Sequence, residues 1–223
     1  MVERQEATQE HVTFSAAGLD LEGVLYLPDG DGPFPAVAVC HPHPLYGGDM
    51  NNNVVLAICT ALAGASVAAL RFNMRGVGRS QGHYEDGIGE QDDVVAALSF
   101  LESLGRVDPL RMGLAGYSFG TKVAMPAALR DQRVRAVALV SPFLARSEWE
   151  ELESYQVPKL FICGTEDGFI PVSEVEQLAG RLAGHSQCEI IQGADHFWWG
   201  YEGEIAWRTR SFFRAVFDIP GDA

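Results

Sequence analysis

Apolar positions along this chain switch between two periods. Leu19, Leu21, Leu25 and Leu27 fall at every second place, with Gly23 the one gap, which sets them on one face of a strand. Residues 12–16 read as an antiparallel partner for that strand. A Pro/Gly/Asp loop follows at 28–35. Short unbroken apolar runs come next, at 36–40, 67–72, 112–115, 136–140, 160–163 and 188–191. Runs of that kind suit strands buried on both faces.

Helical spacing fills the intervals, at 54–63, 90–104, 121–130 and 172–183, and again after the last strand at 202–217. Alternation of strand and helix builds a mostly parallel sheet with helices on both faces. No internal repeat, low-complexity stretch or linker divides the chain. The expectation is one α/β domain over 1–223, with a polar N-terminal tail at 1–10 and a C-terminal tail at 218–223.

The uncharged stretch 50–70 is mostly apolar, but Asn51, Asn52 and Asn53 open it and Gly64-Ala65-Ser66 interrupts it. A spanning helix needs roughly 20 strongly apolar residues. The segment is therefore read as an amphipathic helix, a turn and a buried strand.

Charge narrows the partners. The 223 residues carry 16 Lys+Arg against 30 Asp+Glu, a formal net charge of −14. That balance disfavours nucleic acid and anionic membrane surfaces, which need clustered cations. Cys40, Cys59, Cys163 and Cys188 stand singly, without CxxC or Cys/His ligand spacing. Free buried thiols in a reducing, cytoplasmic setting follow. The start of the chain has no apolar core of a secretory signal.

In open α/β sheets chemistry collects beyond the carboxyl ends of the strands. The run at 112–115 leads into Gly116-Tyr117-Ser118-Phe119-Gly120 and then a helix, a G-x-S-x-G at a strand-to-helix turn. Such a turn exposes a serine hydroxyl beside the backbone N–H groups of a helix N-terminus. A serine hydroxyl needs a base, and the base needs an orienting carboxylate. The chain order for this motif is Ser, then Asp or Glu, then His. Asp167 follows the run at 160–163, and His196 follows the last strand in Gly193-Ala194-Asp195-His196-Phe197.

Glu166 competes with Asp167, which is preferred for its place at the loop tip in Gly-x-x-Asp-x-x-Ile-Pro. Asp195 is read as loop structure and His185 as a surface cap. The nucleophile is thus Ser118, the acid Asp167 and the base His196. Phe119, the residue after the nucleophile, offers one oxyanion N–H. The second should come from His41-Pro42-His43-Pro44-Leu45-Tyr46-Gly47-Gly48. Pro42 and Pro44 have no N–H, which leaves His43, Leu45 or Tyr46. His41 is read as packing beneath the site. The His-x-His pair has no third ligand spaced nearby for a metal.

These residues resemble the α/β-hydrolase superfamily from Leu19 to Phe217, and most closely small lidless hydrolases related to the dienelactone hydrolases. Three segments carry the resemblance: the His41 to Gly48 loop, Arg71-Phe72-Asn73-Met74-Arg75-Gly76-Val77-Gly78-Arg79-Ser80, and the set Ser118, Asp167, His196. It implies the α/β-hydrolase fold, an eight-stranded sheet whose second strand is antiparallel, and a hydrolytic triad. Dienelactone hydrolases proper use Cys where this chain has Ser118. The glycines of 76–82 mimic a dinucleotide loop, but they lead into another loop rather than opening a helix.

The interval 141–157 is too short for a lid domain. Tyr46, Phe143, Phe169 and Trp198 are expected to line a substrate pocket, with Leu144, Trp149 and Trp199 beside them, and Pro126 to kink the nucleophile helix. The expected activity is a serine hydrolase, carboxylesterase-like, acting on small ester or thioester substrates through an acyl-enzyme. It needs no metal or organic cofactor, and the oligomeric state stays open. The rival is a non-catalytic protein of the same fold that binds a ligand or partner.

Overall fold

The computed structural model describes residues 7–144, 149–182 and 184–220. Among them are β1 (Thr8–Ala16), β2 (Leu19–Leu27), β3 (Phe34–Cys40), α1 (Asn53–Ala63), β4 (Ala68–Phe72) and α2 (Glu90–Glu102). β5 (Val107–Tyr117), α3 (Phe119–Arg130), β6 (Val134–Val140) and α4 (Trp149–Ser154) follow, then β7 (Lys159–Gly164), α5 (Val172–Arg181), β8 (Ser186–Ile191) and α6 (Glu202–Val216). The strands form one sheet in the order β1-β2-β4-β3-β5-β6-β7-β8. β2 runs antiparallel to both β1 and β4, and all later neighbours are parallel. This is the α/β-hydrolase fold.

Most elements lie where the apolar pattern puts them, with two corrections. The expected polar tail 1–10 overlaps the sheet, because β1 already starts at Thr8 and pairs it with Leu27. The expectation also contains no α4, since residues 149–154 carry no clear apolar period of their own. The uncharged stretch resolves into α1, a turn and β4, and no helix among the described residues is long and apolar enough to cross a membrane. α3 continues past Pro126.

Each face of the sheet buries its own core. Leu21, Leu25, Leu70, Leu114 and Phe161 meet α2, α3 and α5 on one side. Val37, Val39, Ala115 and Ile162 meet α1 and α6 on the other. β3 is therefore apolar at successive positions, not alternate ones. The gap at Gly23 has a cause too: a Cβ there would sit 2.9 Å from the Arg71 carbonyl oxygen and 3.1 Å from Leu70 Cδ1. The β2–β4 approach requires glycine.

Candidate active site

The carboxyl ends of β3, β5, β6, β7 and β8 open at one rim of the sheet, and every residue singled out for chemistry lies there. Ser118 follows β5 with φ 52° and ψ −118° and caps α3. That left-handed backbone is costly for a residue with a Cβ and persists only where its surroundings enforce it. The two flanking glycines do so. A Cβ on Gly116 would lie 2.6 Å from the Gly120 carbonyl oxygen, and one on Gly120 would lie 2.3 Å from that of Cys40. Strand β5, helix α3 and the end of β3 thus meet at backbone contact distance around Ser118.

Its hydroxyl lies 3.0 Å from His196 Nε2. The other ring nitrogen, Nδ1, lies 3.0 and 2.9 Å from the two carboxylate oxygens of Asp167. A carboxylate only accepts, so Nδ1 carries the proton and Nε2 is free to accept from Ser118. The Asp167 side chain is wholly buried, while that of His196 is 12% exposed. Burial pushes the Asp167 carboxyl upward. The hydrogen bonds from His196, Ser141 and the N–H groups of Phe169 and Ile170 outweigh it and hold the carboxyl below its ordinary range. It stays an anion. Glu166 is exposed on the loop beside it.

Sequence reasoning missed part of this network. Ser141, the residue after β6, donates its hydroxyl to Asp167 Oδ2 at 2.7 Å and accepts the Trp198 indole N–H at 3.0 Å. Tyr117 donates its hydroxyl to the His196 carbonyl at 2.6 Å. No motif marks these residues. The strand order was the available signal, since β6 lies between the strands bearing Ser118 and Asp167.

Asp195 shapes the loop. Its Oδ1 accepts the N–H groups of Phe197 and Trp198 at 2.9 and 3.1 Å, and Trp198 takes φ 62°. This turn carries the indole inward, so Trp198 is fully buried with its N–H on Ser141. It does not line a pocket, contrary to the sequence expectation.

At the oxyanion loop, Leu45 and Tyr46 are already committed. The Leu45 N–H donates to His43 Nδ1 at 3.2 Å, and the Tyr46 N–H donates to the His43 carbonyl at 3.1 Å. The His43 N–H has no acceptor among the described residues. Phe119 sits at the first position of α3, where no preceding carbonyl can take its N–H. Leu45 is therefore removed from the expected donors, leaving Phe119 and His43. The His43 ring packs 4.8 Å from those of Phe119 and Tyr46, and its Nε2 lies 3.3 Å from the Tyr84 hydroxyl. Burial, and then the Lys122 charge, keep the His43 pKa below its ordinary value.

Beneath the loop, His41 is fully buried. Its Nδ1 donates to the Pro42 carbonyl at 2.7 Å, and its Nε2 accepts the Met74 N–H at 3.2 Å. Desolvation lowers its pKa to about 4.

Of the expected pocket residues, Phe169 lies against His196 with ring centroids 4.8 Å apart. Phe143 is exposed at the mouth of a cleft of about 230 Å³ that Phe169 also lines. Tyr46 projects into solvent at 87% exposure, and Trp199 is exposed as well. The side chain of Trp149 lies outside the described residues. The four cysteines carry free thiols. Among the described residues no group of three or more His, Cys, Asp or Glu is placed to hold a metal ion.

A family model described as the dienelactone hydrolase family matches residues 21–202. An uncharacterized protein of Rickettsia prowazekii is 32% identical over 192 residues, covering 82% of this chain and 77% of that one. An α/β serine hydrolase homologue from Coxiella burnetii is 31% identical, with TM-score 0.81, covering 91% of this chain and 96% of that one. A lidless α/β serine hydrolase from Xanthomonas campestris is 26% identical, with TM-score 0.82, covering 96% and 97%.

Proposed function

This chain belongs to the dienelactone hydrolase family, and we propose that within it the protein is a serine esterase working through an acyl-enzyme. One observation supports this above the others: the unbroken line of contacts from Ser118 Oγ to His196 Nε2, and from His196 Nδ1 to a buried, anionic Asp167.

Ser118 Oγ attacks the ester carbonyl carbon while His196 Nε2 takes the hydroxyl proton. The oxyanion is met by the Phe119 and His43 N–H groups at the positive end of α3. Collapse breaks the bond to the leaving oxygen, which takes the proton from Nε2 and departs as the alcohol. Water then attacks the acyl-enzyme and gives its proton to Nε2. A second collapse releases the acid and returns the proton to Ser118. Asp167 stays ionised throughout, holding the tautomer and balancing the imidazolium. A thioester follows the same path with sulfur leaving.

Hydrolysis of p-nitrophenyl acetate by purified protein tests the reading. Ser118→Ala should lower kcat by at least about a thousandfold with an unchanged circular dichroism spectrum. Turnover at the parent rate by that folded variant would rule the reading out and favour the non-catalytic, ligand-binding alternative.

A further inference from the structure

Beside the line of Ser118, His196 and Asp167 lies the cleft of about 230 Å³ already noted. Phe143 and Leu144, from the loop after β6, form one wall. Phe169, Ile170, Val175 and Leu178, from the loop after β7 and from α5, form the other. Its floor is aliphatic, with Ile170, Val175 and Leu178 almost wholly buried, while Phe143 and Phe169 stand 54% and 66% exposed at the mouth. Large rings left to water around an apolar cleft mark a binding surface.

Both walls are tied to the reacting groups. The Phe143 N–H donates to Thr121 Oγ1 at 2.7 Å, and the Thr121 hydroxyl donates to the Ser118 carbonyl at 2.6 Å. On the other side, the Phe169 ring packs on His196, and its N–H holds Asp167 Oδ1 at 2.9 Å. The Phe169 ring is thus shared by the cleft and the His196 imidazole, which places the cleft next to the reacting groups.

We propose that this cleft takes an uncharged aliphatic chain of the ester, about six to eight carbons long. This rests on the serine esterase reading and names its substrate class. The length follows from volume: at ~30 Å³ for a water-sized group, the cleft holds about seven or eight, and a methylene is of similar size. The charge follows from the lining. Glu174 is the ionisable residue among those that form the cleft, and the chain's net charge is −14. A substrate chain ending in a carboxylate or phosphate would have to lose its hydration against a mostly apolar lining, and the protein's net negative charge disfavours it further.

Two ester series test the proposal, one lengthening the acyl chain on a p-nitrophenol leaving group and one lengthening the alcohol of an acetate. The series that uses the cleft should gain about fourfold in kcat/KM per methylene, to a plateau near six to eight carbons. Leu144→Trp and Val175→Phe, which fill the cleft from opposite walls, should each compress the ratio of the octyl to the ethyl substrate by at least tenfold. Binding of octanamide and butanamide, measured by calorimetry, gives a readout that needs no turnover, and octanamide should bind at least tenfold more tightly. Labelling of Ser118 by a fluorophosphonate, together with rates flat in chain length in both series, would overturn the cleft assignment and leave the esterase reading standing. Absence of labelling with tight octanamide binding would overturn the esterase reading and keep the cleft. A benzoyl ester outrunning the octanoyl ester would also contradict an aliphatic occupant.

Discussion

Ser141 and His196 meet on the same oxygen of Asp167: the Ser141 hydroxyl donates to Oδ2 at 2.7 Å, His196 Nδ1 lies 2.9 Å from it, and the Ser141 oxygen takes the Trp198 indole N–H. Ser141→Ala should lower kcat about tenfold with little change in KM, because a buried charged hydrogen bond contributes about 1.5–3 kcal/mol. It also leaves the indole N–H unpaired, at about 1–3 kcal/mol of stability. The double variant Ser141→Ala, Trp198→Phe should recover part of that stability in urea unfolding without recovering kcat. Recovery of both would show that the pair acts on packing alone.

His43 offers a clean separation of ring from backbone. It takes φ −60° and ψ 119°, angles that proline adopts without strain. His43→Pro should cost about 10²–10³ in kcat by deleting the oxyanion N–H. His43→Ala keeps the N–H and should cost much less. Equal losses in steady-state assays would remove the His43 N–H from the mechanism.

His41 makes stability depend on pH. Its folded pKa of about 4 lies below the unfolded value of roughly 6.5, so the unfolded chain binds the extra proton first. The stabilisation is complete above about pH 6.5 and is lost as pH falls towards 4, a change of about 3 kcal/mol. The cause is burial, which penalises the charged imidazolium, and a proton on Nε2 would in addition face the Met74 N–H that now donates to it. Unfolding free energies measured across this window should slope less in His41→Gln than in the parent. Parallel slopes would contradict the assignment.

The glycines around Ser118 should not tolerate a methyl group. Gly116→Ala and Gly120→Ala each force a Cβ into backbone within 2.6 Å, costing about 1–3 kcal/mol or more. That corresponds to about 2–4 °C of Tm per kcal/mol for a chain of this size. Gly105→Ala, with nothing within 4 Å of its added Cβ, should leave Tm unchanged in thermal scans.

The contrast between Ser118 and Ser141 shows what can be read before a structure is known. Ser118 sits in a local pattern whose physics is contained in five residues, and the apolar runs at 36–40 and 160–163 mark buried strands for the same local reason. Ser141 gains its role only from neighbours 26 and 57 positions away. Trp198 looked like pocket lining because it stands two residues from His196. The Asp195 turn carries it inward, a direction that turn propensity at Asp195 does not specify. Leu45 had an N–H to offer, but the His43 ring two residues earlier takes it. The six residues of α4 present too short a window for periodicity.

The most direct measurement is the intact mass of the folded protein after exposure to a fluorophosphonate, followed by peptide mapping. The parent chain should gain one adduct, on Ser118, and Ser118→Ala should gain none. A folded parent chain that stays unmodified, or a Ser118→Ala chain labelled as fast as the parent, would contradict the account.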